Sequence, residues 1–390
     1  MKSIVRSTAP FLLTLSTLTT SGALLPNLLR QRNFLFPLLN VWSRKAEMDS
    51  NINTLVTTSD GTDMPSARMW LEFQEAHGSS DTPGGAYTVL RCDLSLKSWH
   101  IWGIEFHMER LCESYSHLVQ VRLKEDTRDR AIEQSTQIIQ VLLSEAQVSM
   151  IRRDPPRDNE TYTVMLTLLW EEDGKKNHVS VKGHAFSSCT PSNAVDYDPS
   201  PIAATIAHLS GKGENFPNRY DYIPKAKVSS WCRIRRPLEE AFKINGVGEV
   251  ILSRHIPTEK EVQLLEGLTS NLFVIFKDGT LKTPDEGVLH GYARHLVLEA
   301  AHRLGWNVDE GPLFMSEMVG WDQVFCTSAI RLIIPIGELW MLNENKGQEA
   351  AATMTKIWTE SKERQQAKSW LQLYNEIQTL TQQGNYFQDR

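Results

Sequence analysis

Segments of two different periods follow one another irregularly along the chain, and that order limits the fold more than any single motif. "AYTVLRCDL", after the turn Thr82-Pro83-Gly84-Gly85, alternates and is rich in β-forming residues, so it reads as a strand. "SWHIWGIEF" is a candidate partner strand. From His107 the period changes: Leu111, Tyr115, Leu118 and Val119 recur at helical spacing, with Glu109 and Glu113 outward. "RDRAIEQSTQIIQVLLSEAQ" reads as a second helix, with Ile132, Ile138, Ile139 and Leu142 on one face. Two strands follow, "TYTVMLTLLWEE" and "HVSVKGHAF", joined by a turn at Asp173-Gly174. Beyond "TPSNAVDYDPSPIAATI" come a turn ("FPNRYDYIP"), a helix from about Arg235 and a strand "GEVILSRH". "EGLTSNLFVIFKDG" then combines a polar loop with a strand over Val274, Ile275 and Phe276. A helix from about Gly291 has Val297, Ala300, Ala301 and Leu304 on its apolar face, with Gly305 as C-cap. "DQVFCTSAIRLIIPIGEL" resumes strand character, and residues 346–378 read as a closing helix anchored by Met354, Trp358, Trp370 and Leu373. There is no internal repeat. This order predicts two α/β or α+β domains rather than one doubly wound sheet.

A chain of 390 residues is long enough for two such domains. The Pro-, Ser- and Asp-rich segment is the linker, which divides a small N-terminal α/β domain (65–188) from a larger domain (206–345) through residues 189–205. Residues 346–390 form a helical extension. The first 46 residues carry Lys2, Arg6, Arg30, Arg32, Arg44 and Lys45, many Ser and Thr, and no acid before Glu47. That composition predicts an organellar transit peptide over about residues 1–50, for a plastid or mitochondrion, with a cytoplasmic location as the alternative. A secretory signal is the competing reading, but Thr14, Ser16, Thr17 and Thr19 dilute its apolar core. A net charge of −6 gives no reason to expect nucleic acid as a partner, and no stretch has the length and apolarity of a membrane span. Five scattered cysteines without a C-x-x-C pair argue against a disulfide framework and against a metal site.

Four features carry possible chemistry, each with a plainer alternative. Lys225 and Lys227 precede a Ser-rich turn that leads into a helix. A desolvated lysine there can form a Schiff base, whereas an isolated lysine is usually a solvated one. Glu266 followed by Gly267, Leu268, Thr269, Ser270 and Asn271 can set one anion and several small donors around a planar ligand, or can simply be a loop feeding a hairpin. "DEGVLHGYARHLVLEAA" opens an amphipathic helix whose free N–H groups suit a phosphate, although glycine-punctuated helix starts are common. In "FHMERL", His107 and Arg110 share a helix face, and Arg110 can grip a phosphate or pair with a nearby acid.

Taken in order, His-x-x-Arg-Leu, a lysine before a turn and helix, Glu-Gly-x-x-Ser-Asn-x-Phe and Gly-x-Leu-x-Gly resemble the class IV aminotransferases. That family includes branched-chain and D-amino-acid transaminases and aminodeoxychorismate lyase. The resemblance runs from about Gly84 to Pro335 and is clearest over Glu266–Arg294. It implies the fold-type IV architecture: a small N-terminal α/β domain, a larger C-terminal domain and pyridoxal 5'-phosphate between them. It also implies a homodimer. Its substrates would be a small-molecule amino acid and a 2-oxo acid.

By position, the resemblance makes Lys227 the Schiff-base lysine, since Lys227 rather than Lys225 keeps register with the following helix. Glu266 would face the pyridine nitrogen, with Ser270 and Asn271 supporting it. Arg110 would bind the phosphate with the backbone of Tyr292 and Ala293 and the turn Ser328-Ala329-Ile330. Tyr87 matches the strand aromatic of the substrate pocket. Three positions depart from the pattern. Val228-Ser229-Ser230-Trp231 replaces the usual Leu-Asn turn, Ala293 replaces a common Thr, and Trp170 falls about where D-amino-acid transaminases carry a substrate-binding arginine. Trp170 and Trp231 thereby join Tyr87 as expected lining of the substrate pocket. Two other readings fit the resemblance: a lyase that eliminates pyruvate from an aminodeoxychorismate-like substrate, and a catalytically altered protein serving as a binding module.

Overall fold

The alternation in "AYTVLRCDL" places its even and odd residues on opposite faces of a sheet, and the computed structural model builds the N-terminal layer on that strand. The structure describes residues 53–58, 71, 84–95, 98–153, 161–172, 178–191, 199–208, 225–243, 246–256, 258, 260–342, 354–361 and 368–383. The expected transit segment, the turns at 173–174 and 216–224, and the middle of the expected linker lie outside these residues. The first sheet contains β1 (Asn53–Thr58), β2 (Ala86–Leu94), β3 (Trp99–Ile101), β4 (Tyr162–Glu172) and β5 (Val179–Pro191), in the order β1-β5-β4-β2-β3. Only the β1–β5 pair is parallel.

Helices α1 (Ile104–Val119) and α2 (Glu125–Arg153) pack against this sheet. The expected strand "SWHIWGIEF" is shorter than its sequence suggests. Gly103, with φ 57, ends the extended segment and serves as N-cap of α1, so the helix begins three residues before His107. Register sorts the two sheet faces: Ala86 lies opposite Trp170, and Tyr87 opposite Leu169. Trp170 is fully buried on the helix side, where its indole N–H donates to Ser135 of α2 at 2.8 Å. Tyr87 and Leu169 face the other way and join Cys232 in a separate apolar cluster.

The second sheet is assembled from β6 (Ile202–His208), β7 (Glu249–Ile256), β8 (Glu261–Gly267), β9 (Asn271–Phe276), β10 (Leu281–Lys282), β11 (Val308–Asp309), β12 (Leu313–Phe314), β13 (Trp321–Ser328), β14 (Leu332–Leu342) and β15 (Met354–Thr359). Its path runs β9-β13-β14-β6-β7-β8 and returns to β9 through the pair Glu266–Asn271, so the strands close into a ring. Period two then separates an interior from an exterior. Leu272 and Val274 turn inward with Leu264, Ile251, Ile206, Val324, Ile334 and Ile336. Phe273 and Ile275 turn outward against α4 (Tyr292–Arg303) and α5 (Ser369–Gln383), with Leu296, Val297, Leu373 and Ile377. Burying each such side chain contributes about 1.5–3 kcal/mol. Helix α3 (Ser230–Phe242) lies over β6 and β7.

Three sequence expectations are corrected here. "PIAATI" is not linker: Ile202–His208 is a strand flanked by parallel partners on both sides, β14 and β7. A strand in that position is covered on both faces, which explains an apolar run without alternation. The helix expected from Arg235 starts at Ser230, because Ser229 is its N-cap. Residues 346–378 do not form one helix. Met354 and Trp358 sit on β15, paired with Leu342 and Leu339 of β14, whereas Trp370 and Leu373 belong to α5. "MTKIWT" holds β-branched Thr and Ile and an aromatic Trp, residue types that favour the strand.

Gly85 is where the N-terminal sheet leaves no room for a side chain. A Cβ there would lie 2.6 Å from Leu169 and 2.7 Å from the Trp170 carbonyl oxygen, a backbone atom that cannot rotate aside. Gly85→Ala should therefore lower unfolding free energy by about 1–3 kcal/mol. A chemical denaturation curve with an unchanged midpoint would contradict this packing.

Candidate active site

Three residues before α3, the backbone of the lysine turn docks onto the start of β2. The Tyr87 N–H donates to the Lys227 carbonyl at 2.9 Å, and the Ser229 N–H donates to the Gly85 carbonyl at 2.8 Å. The Gly85 N–H donates in turn to the Ser229 hydroxyl at 2.9 Å, and Ala86 and Val228 form an antiparallel bridge. From α1, the Ser114 hydroxyl accepts the Lys227 N–H at 3.0 Å. Lys227 is thus fixed by its main chain to the N-terminal sheet while α3 carries the chain onto the strand ring.

The two lysines of this segment are in different surroundings. Lys225 is exposed. Lys227 keeps part of its surface accessible, and its Nζ lies 4.7 Å from the centroid of the Tyr87 ring. Burial of the amine, followed by the charges of Arg110 and Arg235, pulls its pKa down to about 7, against smaller opposing contributions that include Glu266. A large fraction of Lys227 is therefore the neutral, nucleophilic amine at physiological pH.

Arg110 and His107 lie on the inner face of α1, both buried. The Arg110 guanidinium donates to the Thr88 hydroxyl at 2.7 Å and to His107 Nδ1 at 3.1 Å. Since arginine can only donate, Nδ1 is an acceptor and the neutral ring carries its proton on Nε2. Burial and the charges of Arg110 and Lys227 hold the imidazole pKa well below its ordinary value, which agrees with that neutral form. His107 Nε2 and Arg110 Nε are enclosed without a hydrogen-bond partner, and Arg110 forms no ion pair with any described carboxylate. Burial draws its pKa down to about 10, so it stays charged near neutrality. Such a cation is an anion site in waiting.

The same region meets the start of α4. A Cβ on Gly103 would come 2.2 Å from the Tyr292 ring, and the ring centroids of His107 and Tyr292 are 5.1 Å apart. Tyr292 and Ala293 open α4, and no side chain caps that terminus. Ala329 and Ile330 form the turn between β13 and β14, both partly exposed, and the Ile330 carbonyl accepts from Arg91 of β2 at 3.1 Å.

Glu266 is buried at the ring closure. Its Oε2 accepts from the Leu289 N–H at 3.0 Å and from the Asn271 amide at 3.4 Å, and that amide also donates to the Leu289 carbonyl at 2.6 Å. Ser270 does not contact this carboxylate in the same way: its hydroxyl, with that of Thr269, donates to Glu249 Oε2 at 2.9 and 3.1 Å. Trp231 buttresses the loop from the opposite side by donating its indole N–H to the Leu268 carbonyl at 2.8 Å. Trp170 is not brought to this region at all, because its side chain faces α2.

The structure adds residues that the sequence did not single out. Glu249 is 1% exposed, and its Oε1 also accepts the Val250 N–H at 3.0 Å. One acid heading an apolar strand was its only signal. Thr88 and Ser114 were hidden within ordinary strand and helix patterns. Glu249→Ala would leave two hydroxyls and one N–H without their acceptor, and should cost about 1–3 kcal/mol of stability. An unchanged thermal midpoint would show that the Thr269–Ser270 turn does not depend on Glu249.

Comparison with known proteins shows what part of this chain is similar to. Residues 215–339, which hold Lys227, Glu266, the α4 start and the 328–330 turn, match the family model described as Amino-transferase class IV. Among curated proteins, the chain is 28% identical over 114 residues to the chloroplastic branched-chain-amino-acid aminotransferase 2 of Arabidopsis thaliana, covering 29% of this chain and 28% of that protein. It is 30% identical over 104 residues to a putative branched-chain-amino-acid aminotransferase of Methanocaldococcus jannaschii, covering 26% and 31%. These alignments span less than a third of either relative's length. A solved hypothetical aminotransferase from Mycobacterium tuberculosis, in its apo form, shares the fold at 16% identity with a TM-score of 0.51, over 82% of this chain and 94% of that one. The lysine turn, the buried glutamate and the uncapped helix all lie inside the region that is similar to the class IV aminotransferases.

Proposed function

We propose that the protein is a pyridoxal-phosphate-dependent aminotransferase that moves an amino group between a small-molecule amino acid and a 2-oxo acid. The observation that carries this reading is the pair of lysines: Lys225 is exposed, whereas the amine of Lys227 lies against Tyr87 with a pKa near 7. Class IV aminotransferases use pyridoxal phosphate, and the residues present suit that group. Arg110 and His107 have buried nitrogens without partners, the α4 terminus lacks a side-chain cap, and Glu266 is braced from behind by a backbone N–H. Lys227 would hold the cofactor through Nζ. Arg110, the N–H groups of Tyr292 and Ala293, and the turn at Ala329 and Ile330 would hold its phosphate. Glu266, with Asn271 aligning it, would face the ring nitrogen, and Ser270 would act one step removed by fixing the loop to Glu249.

When bound, pyridoxal phosphate supplies an electron sink for the charge that develops at the reacting carbon of the substrate. The chain's own residues do the rest. Glu266 would hold a proton on the ring nitrogen by presenting a negative oxygen to it. With the cofactor bound, Lys227 Nζ would take and return the proton at the reacting carbon. Tyr87 closes one side of the amine's surroundings and keeps water from it. Trp231 contributes by anchoring the 266–270 loop, and Trp170 by packing the N-terminal sheet.

An organellar compartment and a homodimer complete the proposal. The first is supported by the basic, acid-free N-terminal composition and by chloroplastic relatives. Among the described residues no helix is long and apolar enough to cross a membrane.

Adding pyridoxal phosphate to the purified chain should produce a visible absorption band that is lost in Lys227→Ala and retained in Lys225→Ala. Because the neutral amine is the reactive form and its pKa is lowered to about 7, the rate of band formation should rise as pH passes through that value and level off above it. A rate still climbing toward the ordinary lysine pKa would contradict the lowered value. A band that persists without Lys227 would contradict the assignment.

A further inference from the structure

Arg91 of β2 has the same strand parity as Tyr87, so it lies on the sheet face turned away from α2. Its guanidinium is held from three directions. Nε donates to Asp93 Oδ1 at 3.3 Å, Nη1 donates to the Ile330 carbonyl at 3.1 Å, and Cζ lies 4.6 Å from the centroid of the Trp102 ring. Asp93 fixes that ring as well, accepting the Trp102 indole N–H at 2.8 Å. The Trp102 backbone N–H donates to the Arg91 carbonyl at 2.9 Å. Arg91, Asp93 and Trp102 thus form a closed brace whose outward contact is the Ile330 carbonyl.

The turn that receives this contact is short and strained. Ser328 pairs with Leu332, so only Ala329, Ile330 and Arg331 connect β13 to β14. Leu332 has φ 54, a left-handed conformation that a residue with a side chain keeps only where its surroundings enforce it. Packing supplies the enforcement: Leu332 is buried in the apolar cluster that also holds Trp102 and Tyr292. The peptide between Ile330 and Arg331 is a rigid plane, and both of its polar groups are engaged. Its carbonyl accepts from Arg91, and its N–H donates to the Ser328 hydroxyl at 3.2 Å. The N–H groups of Ala329 and Ile330 are left, and among the described residues they donate to no acceptor. Successive free N–H groups in a turn suit an anion.

We propose that Arg91 is a positioning residue: held by Asp93 and Trp102, it fixes the Ile330–Arg331 peptide so that the Ala329 and Ile330 N–H groups stay aimed at the phosphate of the cofactor. Arg91 acts through the turn and not through its own charge. This assignment rests on the aminotransferase reading above for the presence of that phosphate.

The test is titration of the full chain with pyridoxal phosphate and with pyridoxal, which lacks the phosphate, following the absorption band that depends on Lys227. Arg91→Met should weaken pyridoxal phosphate binding by roughly tenfold, the low end of the range for losing a charged hydrogen bond. Pyridoxal affinity should change by less than about twofold. Asp93→Asn separates positioning from charge. It makes the region more positive, so charge alone would tighten pyridoxal phosphate binding, whereas a loosened brace should weaken it by about three- to tenfold. Unchanged pyridoxal phosphate affinity in Arg91→Met, equal weakening of pyridoxal, or unchanged or tighter binding in Asp93→Asn would overturn the proposal. If Arg91→Met does not fold, as judged by its melting curve, Asp93→Asn decides alone. Failure of the aminotransferase reading would register separately, as a wild-type chain that forms no band with either aldehyde. Calorimetry with inorganic phosphate then decides for Arg91: binding that both substitutions weaken supports the proposal, and binding that they leave unchanged, or no binding, overturns it.

Discussion

The site depends on a short length of backbone pairing between residues 85–87 of β2 and residues 227–229 of the lysine turn. Those hydrogen bonds fasten the chain that leads into α3 to the edge of the N-terminal sheet. Side chains alone would leave the lysine amine free to swing toward water, where its pKa would be ordinary. Fixed at both its N–H and its carbonyl, Lys227 instead directs its side chain toward Tyr87 and the buried charges of Arg110 and Arg235. A backbone constraint thereby sets the surroundings of the amine. Gly85 is part of the same device, because only a residue without Cβ lets β2 approach Trp170 closely enough to receive the turn.

The second constraint is the closure of the strand ring. A single pair, Glu266 and Asn271, joins β8 to β9, and the carboxylate at this seam is held by the Leu289 N–H and the Asn271 amide. Closure removes two exposed edges and presents Glu266 at a fixed place. Glu249 holds the intervening Thr269–Ser270 turn from within, so two buried acids divide the work. One holds the loop, and the other holds the seam.

Much of this was legible in the sequence where local pattern and tertiary role agree. β2 was read to the residue, because alternation there reflects a sheet with two distinct apolar faces. Lys227, Glu266, Arg110 and the α4 start were singled out by a resemblance to a family's motifs, and all four lie within the described residues. Illegible features arose where tertiary context overrides local pattern. "PIAATI" resembled linker because its neighbours are Pro, Ser and Asp, yet two parallel partners make it a strand. Trp170 fell near an expected substrate contact in sequence, but strand parity turns it toward α2; a shift of one position decides the face. Glu249 and Arg235 are charged residues in ordinary-looking segments, and only burial distinguishes them from solvated ones.

The central claim is that one particular amine, Lys227 Nζ, is the reactive group of this molecule. Borohydride reduction after incubation with pyridoxal phosphate at neutral pH, followed by peptide mass mapping, tests it directly. The account requires near-stoichiometric labelling at Lys227, with Lys225 essentially unlabelled. Label at Lys225, or spread in proportion to exposure over the surface lysines, would contradict it.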